Sequence, residues 1–138
     1  MMHFEYKVTG GDFTGAGYAS SQLKKLLKQL GVDPRVIKRA VIALYEAEVN
    51  IVAHARKGII KIDIDKDQVK MILDDEGPGI ADISMAMQKG YSTASETVRA
   101  MGFGAGMGLP NISDNADFFN IKSTPGVGTQ LEIKVQFK

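Results

Sequence analysis

Gly102-Phe103-Gly104-Ala105-Gly106-Met107-Gly108 places a glycine at every second position, with Leu109-Pro110 directly behind. Glycine weakens a helix or strand interior by roughly 0.5–1 kcal/mol relative to alanine, so glycines this dense cannot form a core element. A loop without Cβ atoms can instead bring its backbone N–H groups close to a phosphate chain. The tract therefore points to nucleotide binding, and its spacing excludes the familiar phosphate loops. A P-loop requires Gly-Lys-Ser/Thr, which occurs nowhere in the chain. A dinucleotide fingerprint is G-x-G-x-x-G straight after a first strand, whereas this G-x-G-x-G-x-G comes late. The catalytic-loop and magnesium-loop motifs of eukaryotic-type kinases are missing.

Around the tract the periodicity predicts a two-layer fold. Phe4, Tyr6 and Val8 alternate with polar neighbours, giving a strand over 3–9. Apolar positions at Tyr18, Leu23, Leu26, Leu27 and Leu30 predict a helix over 13–30, ended by Gly31. Asp33-Pro34 supplies an N-cap and a first helical residue for a second helix, which runs to about Ala55 and is stopped by Gly58. Strands follow over 59–65 and 68–74, joined at Lys66-Asp67. Residues 76–107 are irregular apart from a helix near 82–88. Gly108 to Asn115 reads as a short helix. Phe118–Ser123 and Thr129–Phe137 read as closing strands, with Leu131, Ile133, Val135 and Phe137 on one face. This order predicts an α+β two-layer sandwich, with helices on one face of a mainly antiparallel, mixed sheet, as one domain over 1–138.

Two segments add chemistry. Glu46, Asn50 and His54 recur at i, i+4, i+8 along one side of the second helix, away from the arc of Ile37, Ala40, Val41, Leu44, Ala47 and Ile51. A carboxylate and an amide oxygen one turn apart can address Mg²⁺ and its waters; a solvated helix face is the alternative. Asp75, in Asp74-Asp75-Glu76-Gly77-Pro78-Gly79-Ile80, is in phase with Val69, Met71 and Leu73 and so faces inward, where a carboxylate needs a partner. An adenine amino group would serve, and Gly77 and Gly79 allow a sharp turn; an ordinary acidic turn is the alternative.

Composition removes several classes. The 138 residues hold 17 Lys plus Arg against 16 Asp plus Glu, and no cysteine. Disulfides, zinc-thiolate sites and thiol nucleophiles are excluded. No basic stripe with interleaved aromatics marks a nucleic-acid binder. No apolar run approaches the ~20 residues that span a bilayer, and no apolar signal region opens the chain, so a soluble cytoplasmic protein is expected.

In this order the segments resemble the GHKL superfamily of ATP-binding domains, with its Bergerat-type fold. The second helix matches the N box, Asp75-x-Gly77-x-Gly79 the first glycine box and Gly104-x-Gly106-x-Gly108-Leu109 the second. Gly126-Val127-Gly128-Thr129 matches the terminal G-x-G-T element. Within the superfamily the chain looks most like the small bacterial anti-sigma and switch protein-serine kinases. Gly90-Tyr91-Ser92-Thr93 and Asp117-x-Phe119-x-Ile121-x-Ser123 resemble the stressosome switch-kinase branch.

The resemblance implies ATP and Mg²⁺ as cofactors and Glu46 as general base. It implies Asn50 as the Mg²⁺ ligand and Asp75 as acceptor for the adenine amine. Gly77, Gly79, Ile80 and Thr129 would line the base pocket. Gly104, Ala105, Gly106, Met107, Gly108 and Leu109 would wrap the phosphates under a lid over 81–107. The implied activity is serine/threonine phosphorylation of a STAS-type antagonist protein. The alternative is a non-catalytic, nucleotide-set regulator that binds a sigma factor. No nucleic-acid or membrane partner is implied, and a homodimer stays open. Gly104 stands where many anti-sigma kinases carry arginine, which leaves Arg99 and Lys89 as cation candidates for the γ-phosphate. His54 is expected to pack or support the site rather than catalyse. Glu48 falls in the apolar arc of its helix, where a salt bridge or partner contact is the expected role.

Overall fold

The computed structural model of the chain describes residues 1–80, 82–88 and 108–138. Strands β1 (Met2–Thr9), β2 (Lys57–Ile64), β3 (Gln68–Glu76), β4 (Phe118–Thr124) and β5 (Gly128–Gln136) form one sheet in the order β1-β2-β3-β5-β4. Helices α1 (Tyr18–Gln29), α2 (Pro34–His54), α3 (Ile83–Ala86) and α4 (Gly108–Asn115) complete the described elements. The α+β architecture is the expected one. All four pairings are antiparallel. The sheet is therefore not mixed: β4 and β3 run the same way, but β5 lies between them.

Period-two alternation fixes the register. Phe4, Ile62, Met71, Ile133 and Phe119 form one cross-strand row, and Tyr6, Ile60, Leu73, Leu131 and Ile121 the next. These rows face α1 and α2, whose Leu23, Leu27, Ile37, Ala40, Leu44, Ala47 and Ile51 close the core. Each fully buried leucine or isoleucine contributes about 2 kcal/mol. The opposite face carries charges, among them Lys57 with Glu76 at 3.2 Å, and Lys134 lies 4.8 Å from the Phe118 ring centroid. Such exposed contacts add at most ~1 kcal/mol each.

Local chemistry sets the helix ends. The Asp33 side chain accepts from the Arg35 N–H at 2.8 Å, with Pro34 in the first turn. At the end of α1, Gly31 has φ 73°. There Val32 N–H donates to the Leu27 carbonyl and Gly31 N–H to Lys28, a Schellman closure. Asp117, just before β4, accepts from the Gln136 N–H at 2.7 Å and from Arg39 of α2 at 2.9 Å. Those bonds, the backbone one foremost, hold its carboxyl below the ordinary range.

Some boundaries differ from expectation. Helix α1 begins at Tyr18 rather than residue 13. Asp12 accepts from Gly15 N–H and the Thr14 hydroxyl, and Gly17 sits at φ 95°, so 10–17 make turns. Gly58 does not stop α2; Ala55 is already extended, and Gly58 is a buried residue of β2. The absence of a side chain there admits Ile51, whose Cδ1 would lie 2.9 Å from a Cβ. Strand β3 runs to Glu76 and so includes Asp75. The helix near 82–88 is a single turn. Among the described residues no helix is long and apolar enough to cross a membrane.

Candidate functional site

The inward row that ends the sheet is polar. Asp75 continues the face of Val69, Met71 and Leu73, and its Oδ1 accepts from the Thr129 N–H at 3.0 Å. Ser123, paired with Thr129 across β4 and β5, organises the corner. Its Oγ accepts from Ile80 N–H at 2.7 Å, donates to the Gly128 carbonyl at 3.2 Å and lies 3.0 Å from the Thr129 hydroxyl. A serine hydroxyl has one proton, so with Gly128 taking it the Thr129 hydroxyl is the donor of that pair.

These contacts clamp Asp75 to Ile80 between α2 and the β4–β5 turn. Gly77 N–H donates to the Val127 carbonyl and Gly126 N–H to Pro78. A Cβ on Gly77 would lie 2.9 Å from the Ala55 Cα. One on Gly79, at φ 72°, would lie 2.5 Å from the Thr124 carbonyl oxygen. Of these three glycines the tightest is Gly128, where a Cβ would overlap the Asp75 carbonyl oxygen. Gly128→Ala must therefore part β3 from β5. We expect it to cost about 3 kcal/mol or more in urea unfolding. Gly126→Asn, with open space and a φ of 80° that asparagine tolerates, should cost under ~1 kcal/mol. Equal losses would show that the Gly128 contact is not what matters.

Helix α4 runs beside α2. A Cβ at Gly108 would sit 3.1 Å from the Asn50 Oδ1, and the Asn111 side chain of α4 lies on the Glu46 side of α2. Glu46 is half-buried; burial raises its carboxyl above the ordinary range, and the Asn111 side chain opposes this. Burial likewise raises Asp75, against the Thr129 N–H and with a smaller push from Asp74. His54 closes α2, and burial pushes its imidazole below the usual value, so it is neutral at pH 7. Leu109 is a core side chain, 7% exposed, so it can offer a ligand only backbone groups. Gly104, Ala105, Gly106 and Met107, with Lys89, Arg99 and most of the expected lid, lie outside the described residues.

Three groups escaped sequence reasoning. Ser123 was visible only as part of a pattern. Asn111 gave no signal before α4 was placed against α2. Glu48, 2% exposed, has a role the sequence did not suggest: its two carboxylate oxygens accept from Ala19 and Ser20 N–H at 3.1 and 3.3 Å. It caps α1, whose own N-cap is Gly17 and has no side chain to do so. A helix start lacking a capping residue was the available signal.

Among the described residues, no group of three or more His, Cys, Asp or Glu could hold a metal. Mg²⁺ bound with phosphates needs only one or two protein oxygens and keeps several waters. Asn50, next to the N–H groups that begin α4, fits such a metal–phosphate pair. The second oxygen of Asp75 suits an exocyclic amine.

A family model described as a histidine kinase-like ATPase domain matches residues 16–135. The chain is 35% identical over 119 residues to the serine/threonine-protein kinase RsbT of Bacillus subtilis (strain 168), covering 83% of this chain and 84% of that one. It is 36% identical over 109 residues to the anti-sigma F factor of Thermoanaerobacter sp. (strain X514), covering 74% and 73%. The crystal structure of the RsbU and RsbW domains of a Mycobacterium tuberculosis protein superposes with a TM-score of 0.64 at 15% identity. That match covers 98% of this chain and 32% of the other, and carries the fold alone.

Proposed function

The chain belongs to the histidine kinase-like ATPase domain family, and on that premise we propose that it is an ATP–Mg²⁺-dependent protein kinase of the cytoplasm. Its acceptor is a serine or threonine of a STAS-type antagonist protein in a partner-switching pair. The observation that carries this reading is Glu46: a half-buried carboxylate with raised proton affinity, one turn from Asn50 and beside the start of α4. A protein that only binds nucleotide has no need of such a base.

In this reading Asp75 accepts from the adenine amine, with Gly77, Gly79, Ile80 and Thr129 around the base. Asn50 holds Mg²⁺, which supplies charge neutralisation to the transferring phosphoryl group. The backbone of 104–109 receives the phosphates. Glu46 accepts the proton of the partner's hydroxyl as that oxygen attacks the γ-phosphorus and the bond from phosphorus to the β–γ bridging oxygen breaks, releasing ADP. The likeness to an anti-sigma factor supports a second reading, in which nucleotide sets the affinity for a sigma factor.

Incubation with γ-labelled ATP, Mg²⁺ and a STAS-type antagonist protein separates the two. Label on a serine or threonine of the antagonist is expected. Bound ATP without transfer, together with nucleotide-dependent capture of a sigma factor, would favour the second reading.

A further inference from the structure

Asp75, Thr129 and Ser123 stand side by side on β3, β5 and β4, in one row on the helix-facing side of the sheet. Three groups converge on the Ser123 Oγ: the Ile80 N–H at 2.7 Å, the Gly128 carbonyl at 3.2 Å and the Thr129 hydroxyl at 3.0 Å. An N–H can only donate and a carbonyl can only accept. A serine hydroxyl has one proton and two lone pairs, so a single arrangement makes all three contacts: Ile80 and Thr129 donate to Ser123, and Ser123 donates to Gly128. The Thr129 proton is thereby committed to Ser123.

We infer that Ser123 is a positioning residue for base selection: by taking the Thr129 proton it leaves that hydroxyl only lone pairs for a ligand, so that Thr129 and Asp75 form an acceptor pair. The inference rests on the adenine reading of the Asp75 corner and deepens it. Asp75 uses Oδ1 on the Thr129 N–H at 3.0 Å, which leaves Oδ2 to the ligand. An exocyclic amine has two protons and suits two acceptors, whereas a base with oxygen in that place meets lone pairs on both. A threonine hydroxyl that could turn would not discriminate, because it donates to an oxygen as readily as it accepts from an amine. The Ser123 hydroxyl removes that freedom. The wrong base then leaves acceptors facing one another and unpaired, which is how a polar site rejects it.

Calorimetric titration of the full chain with ATP and with inosine triphosphate, each with Mg²⁺, tests this. The inosine base carries oxygen in place of the adenine amine and has no second exocyclic group. Wild type should prefer ATP. In Ser123→Ala that preference should narrow about five- to ten-fold, through tighter inosine triphosphate as well as weaker ATP. Ser123→Thr, which keeps the hydroxyl, should hold the wild-type preference. Thr129→Val keeps the test intact if the alanine variant does not fold. With the threonine proton already committed, it should lose ATP affinity about three- to ten-fold and bind inosine triphosphate as well as wild type or better. A wild-type preference for ATP that Ser123→Ala leaves unmoved, both nucleotides weakening alike, is the mark of a structural role; it overturns the inference and leaves the adenine reading standing. A Thr129→Val variant that loses affinity for inosine triphosphate also overturns it, since that hydroxyl was then a donor. So does a preference that narrows in Ser123→Thr as much as in Ser123→Ala. A wild-type chain that takes up neither nucleotide, or both alike, overturns the adenine reading, and the inference falls with it.

Discussion

Glu46→Gln should lower phosphate transfer by about 10²–10⁴-fold and leave ATP binding near the wild-type level. The amide keeps the shape of the side chain, but it cannot take the hydroxyl proton. The same substitution should stabilise the protein. Burial raises the folded-state pKa of Glu46, so the folded chain binds that proton more tightly than the unfolded one. Its contribution to stability is complete below the ordinary carboxylate range and is lost as pH rises through the folded value. At pH 7 the ionised carboxylate therefore weighs against the fold. Removing it should raise the Tm, and the gain should shrink as the pH falls into the carboxylate range. Lost activity with a raised Tm is the signature of a residue kept for chemistry. Loss of activity with a lowered Tm would mean that Glu46 holds the structure instead.

The second large effect lies away from the site. Glu48→Leu should cost about 3 kcal/mol of stability, roughly a hundred-fold in the folding ratio. The leucine suits the apolar arc of α2 and fills similar volume. It leaves the Ala19 and Ser20 N–H groups without acceptors, however, and Gly17 offers no side chain in its place. Glu48→Gln, with an amide oxygen for one of the two, should fall between. Urea unfolding with an unchanged m-value checks this. A leucine variant as stable as wild type would mean that water or backbone satisfies those groups, and that the cap contributes nothing.

Glu48 also shows where the sequence stops being legible. Elements whose signals are local were readable: the Asp33-Pro34 helix start, the Gly31 helix end, and the inward phase of Asp75, which follows from counting along one strand. Glu46 and Asn50 were found because helical spacing alone puts them on one side. What the sequence hid depends on which elements meet. Glu48 caps a helix 28 residues earlier. Gly108 lies against Asn50 only once α4 packs beside α2. Gly58 looked like a helix stop, but the chain had already turned at Ala55, and its missing side chain serves the packing of Ile51. Ser123 matters because a hairpin sets it beside Thr129, a pairing that no single-strand pattern announces.

The account stands on ATP being the ligand of the Asp75 corner. Calorimetric titration of the folded chain with ATP, then GTP, in the presence of Mg²⁺ addresses it directly, with Asp75→Asn alongside. One molar equivalent of ATP should bind. GTP should bind at least ~10-fold more weakly, because its base presents an acceptor where adenine presents an amine, and Asp75→Asn should lose ATP affinity by a similar factor. No uptake of ATP, or equal uptake of ATP and GTP unaffected by Asp75→Asn, would contradict the account.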